Sequence, residues 1–140
     1  MLNYRDPIVP GGAFTWAEYA RLKSFRRYAT PSPQQHDNAI FLFEALEPLR
    51  QELGLPLIIT SGARTTEYTN YLRQKGIPAA RYSAHNDWQA VDLSCPKLST
   101  RELWHFFDKH WLGRMELLLY TPTWVHLDTR QWGQRIRFKP

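Results

Sequence analysis

The stretch Ser83-Ala84-His85-Asn86-Asp87-Trp88-Gln89-Ala90-Val91-Asp92 runs from a polar turn into an apolar segment and places a histidine seven residues before a carboxylate. Side chains alternate between the two faces of a strand, so Val91 and Leu93 would face a core while Asp92 lies on the opposite face. We therefore predict a strand over residues 89–94, with one acid on its polar face and one histidine in the turn before it.

A second segment near the C-terminus has the same pattern. Trp124, His126 and Asp128 alternate with Val125 and Leu127, which predicts a strand with the first three side chains on one face. Two imidazoles and one carboxylate that meet at a point form a three-ligand zinc site, which leaves the fourth tetrahedral position to water. From spacing alone, the alternative is a pair of ordinary strand histidines beside a hydrogen-bonded aspartate.

Local sequence signals predict where the helices of the remaining chain begin. Three capping boxes, each a Ser or Thr followed three residues later by Glu or Gln, predict three helix starts. The predicted helices run from Thr15 toward Tyr28, from Ser32 to Leu53, over residues 66–74 and from Ser99 to about Gly113; the predicted strands are residues 57–60, 89–94, 115–120, 124–128 and 135–138, the last three antiparallel. This order predicts an α+β fold, a small antiparallel sheet flanked by helices.

Length and composition favour one folded unit. The chain has 140 residues, of which 43% are hydrophobic and 22% charged, far from the composition of a disordered chain. Without a linker or an internal repeat, we expect a single domain over residues 1–140, with residues 1–14 as an N-terminal arm. Cys95 is the only cysteine, which excludes an intramolecular disulfide and a four-cysteine zinc site; we expect it to be buried.

The net charge indicates the kind of partner, and the absence of common motifs excludes several classes of enzyme. The 18 Lys and Arg residues against 13 Asp and Glu give a net charge of +5, which favours polyanionic surroundings such as nucleic acid, anionic lipid or cell-wall polymer. No apolar run approaches the ~20 residues that span a bilayer, and the N-terminus lacks the basic-then-apolar order of a secretory signal. The P-loop, dinucleotide, serine-hydrolase and HExxH signatures are absent.

The polar turn and strand resemble a known family. Residues 83–92 are similar to the S-x-H-x-x-G-x-A-x-D motif of the zinc D-Ala-D-Ala carboxypeptidase family, murein peptidases that share a fold with the hedgehog signalling domain, and they depart from it at Trp88. Residues 59–64 resemble the S-G-x-R loop of that family, and residues 124–129 resemble its final-strand V-H-L/V-D motif. The three motifs occur in the family order and imply the hedgehog/D-Ala-D-Ala-peptidase fold.

The resemblance also implies roles for individual residues. His85, Asp92 and His126 would ligate one catalytic Zn²⁺ per chain. Arg64 would face the substrate as a catalytic and substrate-binding residue, because its cationic fork suits a peptide carboxylate or a developing oxyanion; the alternative is a structural clamp on a loop. Ser83 would orient the site or the substrate through a hydrogen bond, and its alternative is a turn-capping serine.

The proton-transfer group is the open assignment. Several relatives carry an Asp or Glu three residues before the last histidine, but this chain has Thr123 there, and a hydroxyl is a poor base near neutral pH. Asp128 lies on the predicted face of His126 and is the expected catalytic substitute. Its alternatives are a carboxylate that accepts the other ring N–H of His126, or a partner of Arg130 or Arg135.

Aromatic residues near the motifs are candidates for a substrate groove. Trp88 stands where the family motif has Gly; if that position requires positive φ, a tryptophan is strained there and the loop must be rebuilt. Trp88 and Trp124 are expected to bind substrate, and Tyr82 is a further candidate. Core packing is the alternative for all three.

The expected function is a zinc-dependent peptidoglycan peptidase that hydrolyses an amide bond in murein stem peptides or cross-links, as an endopeptidase or a D-Ala-D-Ala carboxypeptidase. Its partners would be peptidoglycan stem peptides, with no nucleic acid and no membrane span, and the chain would be a monomer. A phage lysin, made in the cytoplasm and delivered to the bacterial cell wall, fits this expectation. The alternatives are a non-catalytic zinc-containing module that binds wall peptides and, from the basic and aromatic-rich composition, a nucleic-acid-binding protein.

Overall fold

The computed structural model describes residues 2–80 and 83–140. The fold is α+β, as predicted, with a small sheet and four α-helices in the described ranges. The helices are α1 Trp16–Ala20, α2 Pro33–Leu53, α3 Thr66–Gln74 and α4 Thr100–His110; the strands are β1 Arg21–Leu22, β2 Arg27–Tyr28, β3 Ile58–Ser61, β4 Ala90–Ser94, β5 Arg114–Glu116, β6 Val125–Asp128 and β7 Arg137–Phe138. Within the described ranges, no helix is long and apolar enough to cross a membrane.

The predicted helix starts are confirmed. The side chains of Thr15, Ser32 and Ser99 each accept the backbone N–H three residues along, and the Glu or Gln there binds back to the N-cap. Helix α2 also ends as predicted, with Gly54 in the left-handed conformation at φ 70°. Local hydrogen bonds therefore determine where these helices begin.

The first helix is shorter than predicted. It ends at Ala20 instead of continuing toward Tyr28, and the chain turns back at Arg26, whose φ is 53°. Strands β1 and β2 then pair as an antiparallel hairpin. Leu22 is buried while the residues on both sides of it are exposed, as the alternation of a strand allows.

The main sheet has five strands in the order β3-β4-β6-β5-β7. All neighbours are antiparallel except β5 and β7, so the prediction of antiparallel pairing for the last strand is wrong. Both edges of β6 are already occupied, by β4 and β5. The chain leaves β6 at the end where β5 begins, so β7 joins the free edge of β5 and runs in the same direction.

One face of the sheet forms the centre of the core. Val91, Leu93, Val125, Leu127 and Met115 are fully buried, as the alternating pattern predicts for β4 and β6. Helix α4 packs against β6 and against α2, and the cluster also includes Cys95, which is buried as predicted. The opposite face carries mainly polar side chains.

One residue from each strand forms a row across that opposite face, here called the central row: Ser61, Asp92, His126, Glu116 and Phe138. Ser61 pairs with Asp92 beside a register shift in β3, Asp92 pairs with His126, and Glu116 pairs with Phe138. Arg114 pairs with Asp128 and Met115 pairs with Leu127, so the same register, continued by one residue, brings Glu116 level with His126. Because cross-strand partners project from the same face of a sheet, the row brings these side chains together.

The segment from Ile8 to Phe14, within the predicted N-terminal arm, packs on the core. Ile8 and Phe14 are buried, and the Glu47 carboxylate of α2 accepts the backbone N–H groups of Ala13 at 2.7 Å and Phe14 at 3.0 Å. A buried acid that accepts two backbone donors ties this segment to α2.

Candidate metal centre

Two histidines and one aspartate meet at the central row. One donor atom from each of His85, Asp92 and His126 lies within 4.8 Å of the others, and all three residues are buried. His85 Nε2 lies 3.3 Å from Asp92 Oδ1, and His126 Nδ1 lies 2.8 Å from the same oxygen. The residues singled out from two distant motifs therefore converge, and this donor set suits a divalent transition metal.

The ring of His85 is held from behind by the loop after β3. Its Nδ1 lies 2.8 Å from the carbonyl oxygen of Gly62, and an N–H donated there leaves Nε2 free to face the centre. Position 62 requires glycine, because a Cβ would collide with the carbonyl oxygen of Tyr19. The close approach of these two backbone segments thus orients the first ligand.

Hydrogen bonds hold the turn that carries His85 against helix α2. Ser83 Oγ accepts the N–H of His85 at 3.1 Å, so Ser83 caps the turn, which is the alternative considered for it. Gln35 and Asn38 of α2 donate to two carbonyl oxygens of the turn at 3.0 and 2.9 Å. These bonds fix the ligand before any metal binds.

The ring of His126 bridges two carboxylates. Nδ1 faces Asp92, and Nε2 lies 2.8 Å from Asp128 Oδ2. Burial lowers the pKa of His126, but the hydrogen bonds to Asp128 and Asp92 outweigh burial and raise the pKa to about 9. A metal can bind at Nδ1 only after that atom loses its proton. The proton on Nε2 can remain, and the Nε2–H then donates its hydrogen bond to Asp128.

The other two candidate ligands, Asp92 and His85, are held in the protonation states that bind metal. Burial raises the pKa of Asp92, yet the facing imidazoles of His85 and His126 outweigh burial and bring the pKa well below its ordinary value. Burial also lowers the pKa of His85, which favours the neutral imidazole. An ionised carboxylate and a neutral imidazole are the metal-binding states of these side chains.

Asp128, predicted as the general base, contacts His126 on the side of the ring that faces away from Asp92. Its side chain is 0% exposed, and its carboxylate accepts hydrogen bonds from Arg130 as well as from His126. The two ring nitrogens point in divergent directions, so the His126 ring separates Asp128 from the ligand atoms of Asp92 and His85. The contacts match the alternative considered for Asp128, a carboxylate that orients His126 and binds Arg130.

Arg64 is held beside the centre by the loop after β3. Its Nη2 donates to Ser61 Oγ at 2.9 Å, and its backbone N–H donates to the carbonyl oxygen of His85 at 3.1 Å. Burial lowers the pKa of Arg64, and the charge of Asp92 opposes that effect. The Nε atom is buried without a hydrogen-bond partner among residues 2–80 and 83–140, so one donor of the guanidinium is unused.

Trp88, expected to bind substrate, lies in the core, which is the alternative considered for it. Its side chain is 1% exposed and packs edge-on against Tyr19, with ring centroids 5.8 Å apart. Its φ of 59° shows that the position keeps the left-handed conformation that favours glycine. The loop is therefore not rebuilt; the chain accepts a strained backbone, and the tryptophan ring fills the space beneath the turn.

Trp124 precedes β6 on the same face of the strand as His126, and it is partly exposed. It remains a candidate for the substrate groove. Tyr82 lies outside the described residues.

Comparison with known families gives one match. The model of the peptidase M15 family matches residues 13–128, which include Arg64, the three metal-site residues and Asp128. This chain belongs to the peptidase M15 family. Comparisons with curated proteins and with solved structures gave no significant match. The family and the buried His-Asp-His group together support a metallopeptidase.

Glu116 of this M15 peptidase is a candidate that the sequence analysis missed. It is half-buried at the end of β5, opposite His126 in the central row. Burial raises the pKa of its carboxyl, His126 opposes this effect, and the charge of Asp92 adds to it. The alternation of Glu116 with the apolar Met115 indicated that Glu116 lies on the polar face of a strand. It did not indicate that this strand pairs with β6, because strand pairing cannot be derived from one sequence.

Proposed function

We propose that this M15 peptidase is a zinc-dependent hydrolase of peptidoglycan stem peptides that holds one Zn²⁺ per chain. The observation that carries the proposal is the buried group of His85, Asp92 and His126 inside the region that matches a peptidase family. Zinc prefers nitrogen and oxygen donors in a tetrahedral arrangement, and three protein ligands leave one position for water. A structural zinc site would have four protein ligands, so the donor count favours catalysis.

The chain's own residues support hydrolysis in distinct ways. When bound, zinc supplies a Lewis acid and lowers the pKa of a water molecule. Gly62 and Asp128 orient the two ligand imidazoles through their second ring nitrogens. Arg64, which is half-buried and donates to Ser61, would bind a substrate carboxylate or the developing oxyanion through guanidinium N–H groups other than the buried Nε.

The surroundings of Arg64 favour an acidic peptide. Arg64 lines a small cleft together with Arg21, Lys23 and Glu18, so three cationic groups and one acid border it. Stem peptides of peptidoglycan carry free carboxylates, which such a cleft would attract in a salt-dependent manner. Trp124 and Ser83 would contact the peptide at the edges of the site. We further propose a monomeric lysin, delivered by a phage to the bacterial cell wall, as the biological setting.

Digestion of purified peptidoglycan tests this proposal. Muropeptides released by the zinc-loaded protein would be identified by mass spectrometry, with and without a chelator, which also separates an endopeptidase from a carboxypeptidase that removes terminal D-alanine. His85→Ala should abolish release, and His105→Ala, which changes an exposed histidine of α4, should leave it unchanged. Release that survives both the chelator and His85→Ala would refute the mechanism.

The alternative functions predict different results in the same experiment. A wall-peptide-binding module would hold one zinc per chain and bind peptidoglycan without releasing products. A nucleic-acid-binding protein would bind DNA with a steep salt dependence that survives His85→Ala.

A further inference from the structure

The acidic side chain next to the ligands along the central row has no assigned role. Glu116 lies opposite His126, and on its other side it pairs with Phe138 of β7. The Phe138 ring packs edge-on against the His126 ring, with centroids 6.0 Å apart. Glu116 is therefore placed between a ligand histidine and an apolar ring, at the border of the centre.

The backbone around Glu116 is fixed on both sides. Its carbonyl oxygen accepts the indole N–H of Trp104 from α4 at 2.9 Å. The N–H of the next residue, Leu117, donates to the carbonyl oxygen of Phe138 at 2.9 Å. A carboxylate on a rigid strand can be held in one place relative to the metal ligands, as proton transfer requires.

The carboxylate of Glu116 is also free, whereas the neighbouring acids are engaged. Asp92 is a ligand, and Asp128 is enclosed by His126 and Arg130. In the part of the chain that the structure describes, Glu116 forms no side-chain hydrogen bond and no salt bridge, and its side chain is half-buried and open to solvent on one side. Thr123, three residues before His126, is an exposed hydroxyl and a poor base near neutral pH.

We propose that Glu116 is the proton-transfer residue of the peptidase reaction, an inference that rests on the proposed function. The Glu116 carboxylate takes one proton from the attacking water as the water oxygen bonds to the amide carbonyl carbon. When the C–N bond breaks, the carboxyl passes that proton to the leaving amine nitrogen. One water is consumed, one carboxyl group and one amine are formed, and Glu116 returns to its starting state.

Three variants of the full zinc-loaded chain test this role. Glu116→Gln keeps the shape and removes the base, Glu116→Asp keeps the acid on a shorter side chain, and Glu44→Gln changes an exposed glutamate of α2 as a matched control. Each variant is measured for zinc content, for muropeptide release and for binding of acetohydroxamic acid by calorimetry. That compound binds zinc as an anion, and a neighbouring carboxylate that takes up the released proton would hydrogen-bond to the bound anion and strengthen its binding.

Glu116→Gln should retain one zinc per chain, lose about 100-fold or more of its cleavage rate, and bind acetohydroxamic acid at least about tenfold more weakly. Glu116→Asp should lie between Glu116→Gln and the unchanged protein, and Glu44→Gln should match the unchanged protein. Cleavage and hydroxamate binding of Glu116→Gln within about threefold of the unchanged protein would overturn the role. Loss of zinc would overturn it too, since Glu116 would then be a ligand or a structural residue.

Failure of the proposed function gives a different pattern. If the unchanged protein holds zinc but releases no muropeptide, the peptidoglycan proposal fails, and the hydroxamate comparison still decides whether Glu116 is the base at the metal. If Glu116→Gln does not fold, Glu116→Asp decides: with zinc retained, at least a tenfold loss of cleavage supports the role, and an unchanged rate refutes it.

Discussion

Replacement of Trp88 tests how the turn that carries the first ligand is stabilised. The ring is 1% exposed and packs against Tyr19 and Trp16, and the backbone has a φ of 59°. Trp88→Ala removes the ring and leaves a cavity, which lowers the free energy of unfolding by about 3–5 kcal/mol. Trp88→Gly removes the same ring but also relieves left-handed backbone strain of about 1–2 kcal/mol.

The difference in the free energy of unfolding between Trp88→Gly and Trp88→Ala isolates the backbone strain, because both variants lack the ring. Glycine loses about 0.5–1 kcal/mol more chain entropy on folding than alanine does, which offsets part of the relieved strain. Trp88→Gly should therefore be more stable than Trp88→Ala by roughly 0.5–1 kcal/mol, and both should be less stable than the unchanged protein. Urea unfolding of the chelator-treated chain, followed by far-ultraviolet circular dichroism, measures both differences.

Two results would refute this reasoning. A glycine variant as stable as the unchanged protein would show that the buried ring contributes no more than the relieved backbone strain. An alanine variant more stable than the glycine variant would show that position 88 is not strained.

Three further predictions concern the groups behind the ligands. Asp128→Asn should weaken zinc binding by about 10–100-fold, measured by competition with a chelator, because it removes the charge that orients His126; equal affinities would contradict that role. For the metal-free protein, the pKa of His126 is raised to about 9, so its contribution to stability is fully present below about pH 6.5 and is lost as the pH rises to about 9. Urea midpoints across that range should fall, and a rise would contradict the bridging imidazolium. Gly62→Ala should lower the free energy of unfolding by about 1–3 kcal/mol in urea unfolding, since its Cβ meets the Tyr19 carbonyl; an unchanged value would show that the loop can move away.

Features that depend on neighbouring residues were predictable from the sequence. The capping boxes at Thr15, Ser32 and Ser99 predicted the helix starts, because each cap is a hydrogen bond within one turn. Alternation predicted which faces of β4 and β6 are polar, because the period of a strand is two residues. The length of α1 was not predictable, since burial of Leu22 in a short hairpin overrides the local helix signal.

Roles that depend on orientation were decided by the tertiary structure. Asp128 shares a face with His126, as the pattern indicates, yet the ring of His126 stands between it and the ligand atoms. Trp88 is next to the motif in sequence, but its side chain turns into the core. The candidacy of Glu116 follows from the register of β5 with β6, which no local pattern encodes.

The amino-acid sequence by itself determined the donor types, the helix starts and the polar faces of the strands, because these properties follow from side-chain chemistry and short-range periodicity. The tertiary structure decided which acid lies behind the imidazole and which lies beside it, because strand pairing over long separations and the rotation of a single ring determine those positions.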